Sequence, residues 1–133
     1  MDEFAFVADM AVRFRDLDPW DHVNNAVYGT YLEQARIEYM DEVLADTVGS
    51  RTFVLVHQEL TYDAPITYGQ DLTVAVRASE MGTSSLTFTY EVRADGEAVA
   101  TAETTQVYMD DEEPAPLPET WREAIRDFEP GLA

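Results

Sequence analysis

An α+β fold, with a long central helix packed on a five-stranded antiparallel sheet, is what this sequence predicts. Three observations lead there. Apolar residues recur at helical spacing between about Asn25 and Asp46, then switch to alternation from residue 53 onward. The dipeptide Asp95-Gly96 lies between two alternating runs and signals a hairpin. One amphipathic helix and one sheet face must each be covered, and laying the helix across the sheet covers both.

The elements follow in order. Residues 5–14 (AFVADMAVRF) read as a strand, ended by the turn chemistry of Asp16 to Asp21. The helix is expected from about Asn25 to Asp46, with Tyr28, Tyr31, Leu32, Ala35, Tyr39, Val43 and Leu44 as its apolar stripe. Glu33, Gln34, Glu38, Asp41 and Glu42 lie mostly off that stripe, and Gly49 falls in the following loop. Asn24 or Asn25 suits the N-cap. Residues 53–63 form a strand broken by Ala64-Pro65, and Tyr68-Gly69-Gln70 makes a turn. Residues 71–80 and 85–93 are strands, the second alternating Leu86, Phe88, Tyr90 and Val92 with polar neighbours. Residues 97–109 form the last strand, with Ala98, Ala100 and Ala102 as a small face against which a helix can lie close. The remaining segment is acidic and Pro-rich, with a short helix around residues 119–128. The reading is one domain over residues 1–133, its core at about 5–109.

Composition narrows the function. The chain has 133 residues, 46% hydrophobic, and no cysteine, which removes disulfides, a thiol nucleophile and thiolate metal sites. Acidic residues number 27 against 8 basic, a net charge of -19, and every basic residue is arginine. The acids are spread along the chain, which suits a surface solvated in concentrated salt, and a halophilic source is expected. Nucleic acid as a partner is disfavoured, since phosphate needs a basic stripe. No apolar run reaches the roughly 20 residues of a membrane span, and the acidic N-terminus lacks the basic start of a secretory signal.

The densest chemistry is in residues 13–36, RFRDLDPWDHVNNAVYGTYLEQAR. Carboxylates, an imidazole and an Asn pair precede the start of a helix. Free N–H groups and partial positive charge at that start can polarise a carbonyl. A base beside such an electrophile-activating dipole is the minimum apparatus for acyl transfer.

The run from Asp16 through Tyr28, followed by Tyr31-Leu32-Glu33 and Ala35-Arg36, resembles the hotdog-fold thioesterases, in particular the 4-hydroxybenzoyl-CoA thioesterase family. Its pattern DxDxxxHVNNxxYxxxxE is also similar to plant acyl-ACP thioesterases. Tyr62-Asp63-Ala64-Pro65-Ile66 with Gly69, and Gly82-Thr83-Ser84-Ser85, fit the same family's strand and turn pattern. The resemblance covers roughly residues 5–109. It implies a hotdog fold, pairing of two sheets edge to edge, active sites at the dimer interface, further assembly into tetramers, an acyl-CoA substrate, and no metal or redox cofactor.

It also assigns roles. Asp18 matches the family's catalytic aspartate, acting as nucleophile or as general base for water; the alternative is an Asp that merely starts a turn before Pro19. His22 either orients the carboxylate, binds water or shuttles a proton, or else holds the turn structurally. Asn25 offers its backbone N–H to the thioester carbonyl. Asn24 is placed with the substrate-binding set or as the cap. Trp20 lines or narrows the acyl pocket, or packs on a partner subunit. Tyr28 joins the substrate-binding residues. Glu33 is either a base or the ion-pair partner of Arg36. Asp16 is expected in a turn or at the surface. His57 is expected as an ordinary strand histidine, and no metal site is foreseen. The expected activity is that of a cytoplasmic acyl-CoA thioesterase, working as a homodimer or dimer of dimers. A hotdog hydratase or dehydratase and a non-catalytic acyl-binding protein are the alternatives.

Overall fold

In the computed structural model, which describes residues 3–47 and 51–132, the chain begins with strand β1 (Phe6–Met10). Two 3-10 turns follow, Phe14–Asp16 and Asn25–Val27, the second running into helix α1 (Tyr28–Val43). Next come β2 (Phe53–Tyr62), β3 (Leu72–Met81), β4 (Ser85–Ala94) and β5 (Glu97–Asp110). The two-residue strand β6 (Glu113–Pro114) and helix α2 (Glu119–Phe128) complete the order. The strands are antiparallel in the order β1-β3-β4-β5-β2, with β6 on β5. Gly49 lies outside the described residues.

The alternation expected for β3 and β4 is what builds the core. Leu72, Val74, Val76 and Ala78 of β3 and Leu86, Phe88, Tyr90 and Val92 of β4 are all buried. Cross-strand pairs such as Val76 with Tyr90 and Val74 with Val92 place them on one face. The hairpin between β4 and β5 turns at Asp95 and Gly96, whose φ angles of 52° and 82° are those a two-residue primed turn requires. Helix α1 buries Tyr31, Leu32, Ala35 and Tyr39 against this face. Tyr39 is the hub, meeting Phe6, Phe88 and Phe128 edge-on with centroids 5.6, 5.2 and 5.5 Å away. At the helix C-terminus the Arg51 guanidinium donates to the carbonyls of Leu44 and Met40 at 3.2 and 3.4 Å, where the dipole favours a cation.

Several expectations need correction. The first strand stops at Met10, because residues 14–16 coil around a buried carboxylate. The regular helix occupies 28–43 rather than 25–46, its first turn being 3-10. Ala98 is exposed and off the inner face, because the β4–β5 register skips Val99. Ala100 and Ala102 do face inward, but α1 lies closest to β1 and β3, not β5. A sixth short strand forms where Asp111 and Glu112 adopt positive φ of 55° and 65°. The hydrophobic cluster also extends past residue 109: Leu117, Trp121 and Ile125 are buried in it, with Trp121 packed on Tyr108 at 4.9 Å. The short helix at 119–128 lies where the sequence puts it.

Candidate active site

The loop from β1 to α1 is pegged by Asp16. This residue is 2% exposed, so the expectation of a surface position fails. Its Oδ2 accepts from the Arg13 backbone N–H at 2.9 Å and the Tyr31 hydroxyl at 3.0 Å, and its Oδ1 from the Arg13 guanidinium at 3.2 Å. Burial pushes the Asp16 carboxyl up, but the Arg13 and Tyr31 hydrogen bonds outweigh it and hold the group below its ordinary range. The Asp16 carbonyl also accepts the Asn24 N–H at 2.8 Å, closing the loop at its far end.

Within that loop Asp18 is half-buried. Its Oδ1 accepts the backbone N–H groups of Trp20 and His22, at 2.9 and 3.1 Å. Asp18 N–H donates back to the His22 carbonyl at 2.7 Å, and Asp21 closes the turn with φ of 63°. Asp18 therefore does start a turn, as an Asx-type acceptor next to Pro19. That occupies one oxygen only: Oδ2 accepts no hydrogen bond among the described residues. The histidine contact is made by the His22 backbone, not by its imidazole.

The helix start is fixed from both sides of Asn25. The Asn24 side chain caps it, accepting the Ala26 N–H at 2.9 Å, and the Asn24 carbonyl accepts Val27 N–H at 2.9 Å. The Asn25 carbonyl accepts from the Tyr62 hydroxyl at 3.0 Å. Both flanking peptides are held, and the Asn25 N–H has no acceptor among the described residues. Tyr28 is buried beneath, its ring edge-on to Tyr62 at 4.8 Å, and burial first, then the neighbouring Tyr62, pushes its hydroxyl pKa up.

These groups line a cleft of about 350 Å³ formed by Asp18, His22, Val23, Asn25, Tyr28, Tyr62 and residues 63–65. Hollows of about 460 and 540 Å³ elsewhere, against the C-terminal segment, bring together no such base and donor. Of the residues singled out in the sequence, the cleft unites Asp18, His22, Asn25 and Tyr28. Trp20, 75% exposed, Asn24 and Glu33 are not part of its lining. Glu33 lies 3.8 Å from Arg36 in an ion pair, with its own side chain largely exposed. Tyr62 was missed as a site residue. Its signal is faint: an aromatic closing an alternating run just before Asp63-Ala64-Pro65, whose partner is 37 residues away.

His57 lies on β2, away from the cleft. Its Nε2 is 3.7 Å from Glu59 and 3.9 Å from Glu103, carboxylates that face each other across β2 and β5. These three side chains could offer ligand atoms to a cation, and their mutual ion pairing accounts equally well for the grouping.

Residues 12–125 match the family model of the thioesterase-like superfamily. The chain is 32% identical over 104 residues to the long-chain acyl-CoA thioesterase FadM of Escherichia coli, covering 74% of this chain and 79% of that protein. It is 31% identical over 88 residues to the uncharacterised protein YsmA of Bacillus subtilis, covering 65% of this chain but only 60% of YsmA. A Thermus thermophilus thioesterase solved with coenzyme A and Zn superposes with a TM-score of 0.89 at 42% identity, covering 98% of each chain.

Proposed function

The chain belongs to the thioesterase-like superfamily, with its hotdog fold, and from that premise we propose that it hydrolyses an acyl-CoA thioester in the Asp18 cleft. The observation that carries this reading is the pairing of an Asp18 oxygen free of hydrogen bonds with an unclaimed Asn25 N–H in one cleft.

Asp18 Oδ2 takes a proton from water as the water oxygen adds to the thioester carbonyl. The oxyanion that forms is met by the Asn25 N–H at the positive end of the helix, an interaction worth roughly 3–4 kcal/mol in well-studied cases. The C–S bond then breaks, and the thiolate leaves with the proton Asp18 had taken. Free acid and coenzyme A are the products. In the nucleophilic variant Asp18 itself adds to the carbonyl, the thiolate leaves, and water cleaves the resulting anhydride to free acid and the Asp18 carboxylate, releasing the proton the thiolate takes up. His22, at the cleft edge, contributes through its backbone hold on Asp18. The chemistry asks for no metal or redox group, since base, donor and water suffice.

The active form is a homodimer, or a dimer of dimers, joined through β2. Among the described residues that strand pairs only with β5 and leaves its other edge open, with Val54, Leu55, Val56 and Tyr62 exposed along it. Tyr62 ends β2 and lines the cleft, so a second copy on this edge would wall the site. No described helix is long and apolar enough to cross a membrane, and we place the enzyme in the cytoplasm of a salt-adapted cell.

The test is thiol release from a panel of acyl-CoAs in molar KCl. Asp18→Asn keeps the Oδ1 acceptor that holds the turn but removes the base, so activity should fall about 10²–10⁴-fold with folding intact. Release unchanged in this variant overturns the role of Asp18. An enoyl-CoA that gains water with its thioester intact would replace hydrolysis by hydration.

A further inference from the structure

Coenzyme A is a polyanion, and this chain has eight cations for 27 acids. Seven of the eight are engaged by the protein itself. Arg13 is held by Asp16, Arg36 by Glu33, Arg51 by Asp41, Arg77 by Glu3, Arg93 by Glu91 and Arg126 by Glu119. Arg122 donates to the carbonyls of Gly82 and Thr83. Arg15 alone is exposed with no hydrogen bond or ion pair among the described residues.

Its neighbourhood is unusual for so acidic a surface. Phe14, beside it in the same 3-10 turn, is 79% exposed, and Tyr68 is 61% exposed. Their rings meet at 85° with centroids 6.4 Å apart, forming an open aromatic corner. The corner is rigidly carried. Asp16, the last residue of the turn, is pinned by Arg13 and Tyr31, and Thr67, next to Tyr68, bridges to His22. It is also continuous with the catalytic loop: Arg15 and Asp18 are three residues apart, so their Cα atoms lie within roughly 11 Å. Phe14 follows β1 and Tyr68 precedes β3, the strand pair at the sheet edge opposite β2.

We propose that Phe14, Tyr68 and Arg15 form the nucleotide subsite for the substrate's coenzyme A. The adenine stacks in the aromatic corner, and Arg15 takes a phosphate. Flat rigid rings lose little freedom on stacking, and among the described residues the Arg15 guanidinium is the one arginine that can meet a phosphate without breaking an internal contact. The pantetheine arm then runs from this corner to the thioester beside Asp18. This rests on the acyl-CoA reading above.

The experiment compares acyl-CoA with acyl-pantetheine, which lacks the nucleotide, on the wild type, Phe14→Ala and Arg15→Gln. The ratio of kcat/KM for acyl-CoA over that for acyl-pantetheine should fall about tenfold in each variant, through KM for acyl-CoA. Both substrates losing equally, or neither losing, overturns the subsite. So does a Phe14→Ala protein whose sedimentation changes while the ratio stays put, since that gives the corner to a second copy of the chain. Calorimetry with adenosine 3′,5′-bisphosphate judges the subsite separately from catalysis. Binding weakened about tenfold by Arg15→Gln supports it even if the acyl-CoA hydrolysis fails, and binding equal in wild type and variant sinks it even if hydrolysis succeeds.

Discussion

The Tyr62 hydroxyl donates to the Asn25 carbonyl at 3.0 Å, tying the end of an edge strand to the first turn before α1. The same Asn25 lines the cleft, and its N–H has no acceptor among the described residues. Its preceding peptide is held by the bond from Val27 to the Asn24 carbonyl, and its following peptide by Tyr62 and by the Asn24 cap. On the proposed mechanism Tyr62 would thus position the oxyanion donor without touching the reacting atoms. Tyr62→Phe keeps the ring against Tyr28 and removes only the hydroxyl. It should lower kcat about tenfold with KM nearly constant, while global stability drops by no more than about 1.5 kcal/mol. Equal kcat in wild type and variant would remove Tyr62 from the mechanism.

Asp16 yields a prediction of a different kind. Its folded pKa lies below the ordinary carboxyl value of 3.8, because the hydrogen bonds from Arg13 and Tyr31 outweigh the cost of burial. A depressed carboxyl pKa adds stability that is fully present above the unfolded value and is lost as pH falls through the folded one. Tyr31→Phe removes one donor to the ionised carboxylate, a bond of about 1.5–3 kcal/mol. Urea midpoints should show that deficit at neutral pH and show it shrinking in acid once Asp16 is protonated. A deficit independent of pH would assign the loss to packing of the ring alone.

The two residues also mark the boundary of what the sequence made legible. Where periodicity decides, the reading was close: Leu86, Phe88, Tyr90 and Val92 face the core, and α2 spans the residues expected of it. Asp18, His22 and Asn25 were legible as a group because the turn that gathers them is local. Asp16 was not, because its partner Tyr31 lies 15 residues on and nothing in a single carboxylate announces that it will be buried. Tyr62 failed for the same reason over 37 residues. Ala98 was misplaced because a one-residue skip at Val99 reverses the facing of everything before it, and alternation alone cannot locate a bulge.

The exposed edge of β2 predicts how activity depends on assembly. Val56, where the register with β5 skips a residue, is 58% exposed on an otherwise unpaired strand edge. Val56→Glu would set two like charges together across a two-fold seam, in a chain already carrying -19. Sedimentation in molar KCl should show the wild type as at least a dimer and the variant shifted toward monomer. Specific activity of the variant should then rise with protein concentration. A wild type that sediments as a fully active monomer would refute the shared site.

The net charge itself supplies the last test. Among the described residues Asp16 is the one buried acid, so the others stand at or near the surface and repel one another through water. The screening length falls from about 10 Å at 0.1 M salt to about 3 Å at 1 M, which removes most repulsion between exposed neighbours. The melting midpoint should therefore climb between 0.1 and 1 M KCl by more than about 5 °C, at roughly 4 °C per kcal/mol of relieved repulsion. Potassium chloride is the informative salt, because a sulfate would strengthen apolar burial in any protein. The same screening acts on the substrate. A polyanionic acyl-CoA approaching this surface is repelled at low salt, so its KM should fall over the same range, while acyl-pantetheine, which carries no phosphate, should respond less. A midpoint flat across that range would mean that the acidic surface is not a stabilising adaptation to salt.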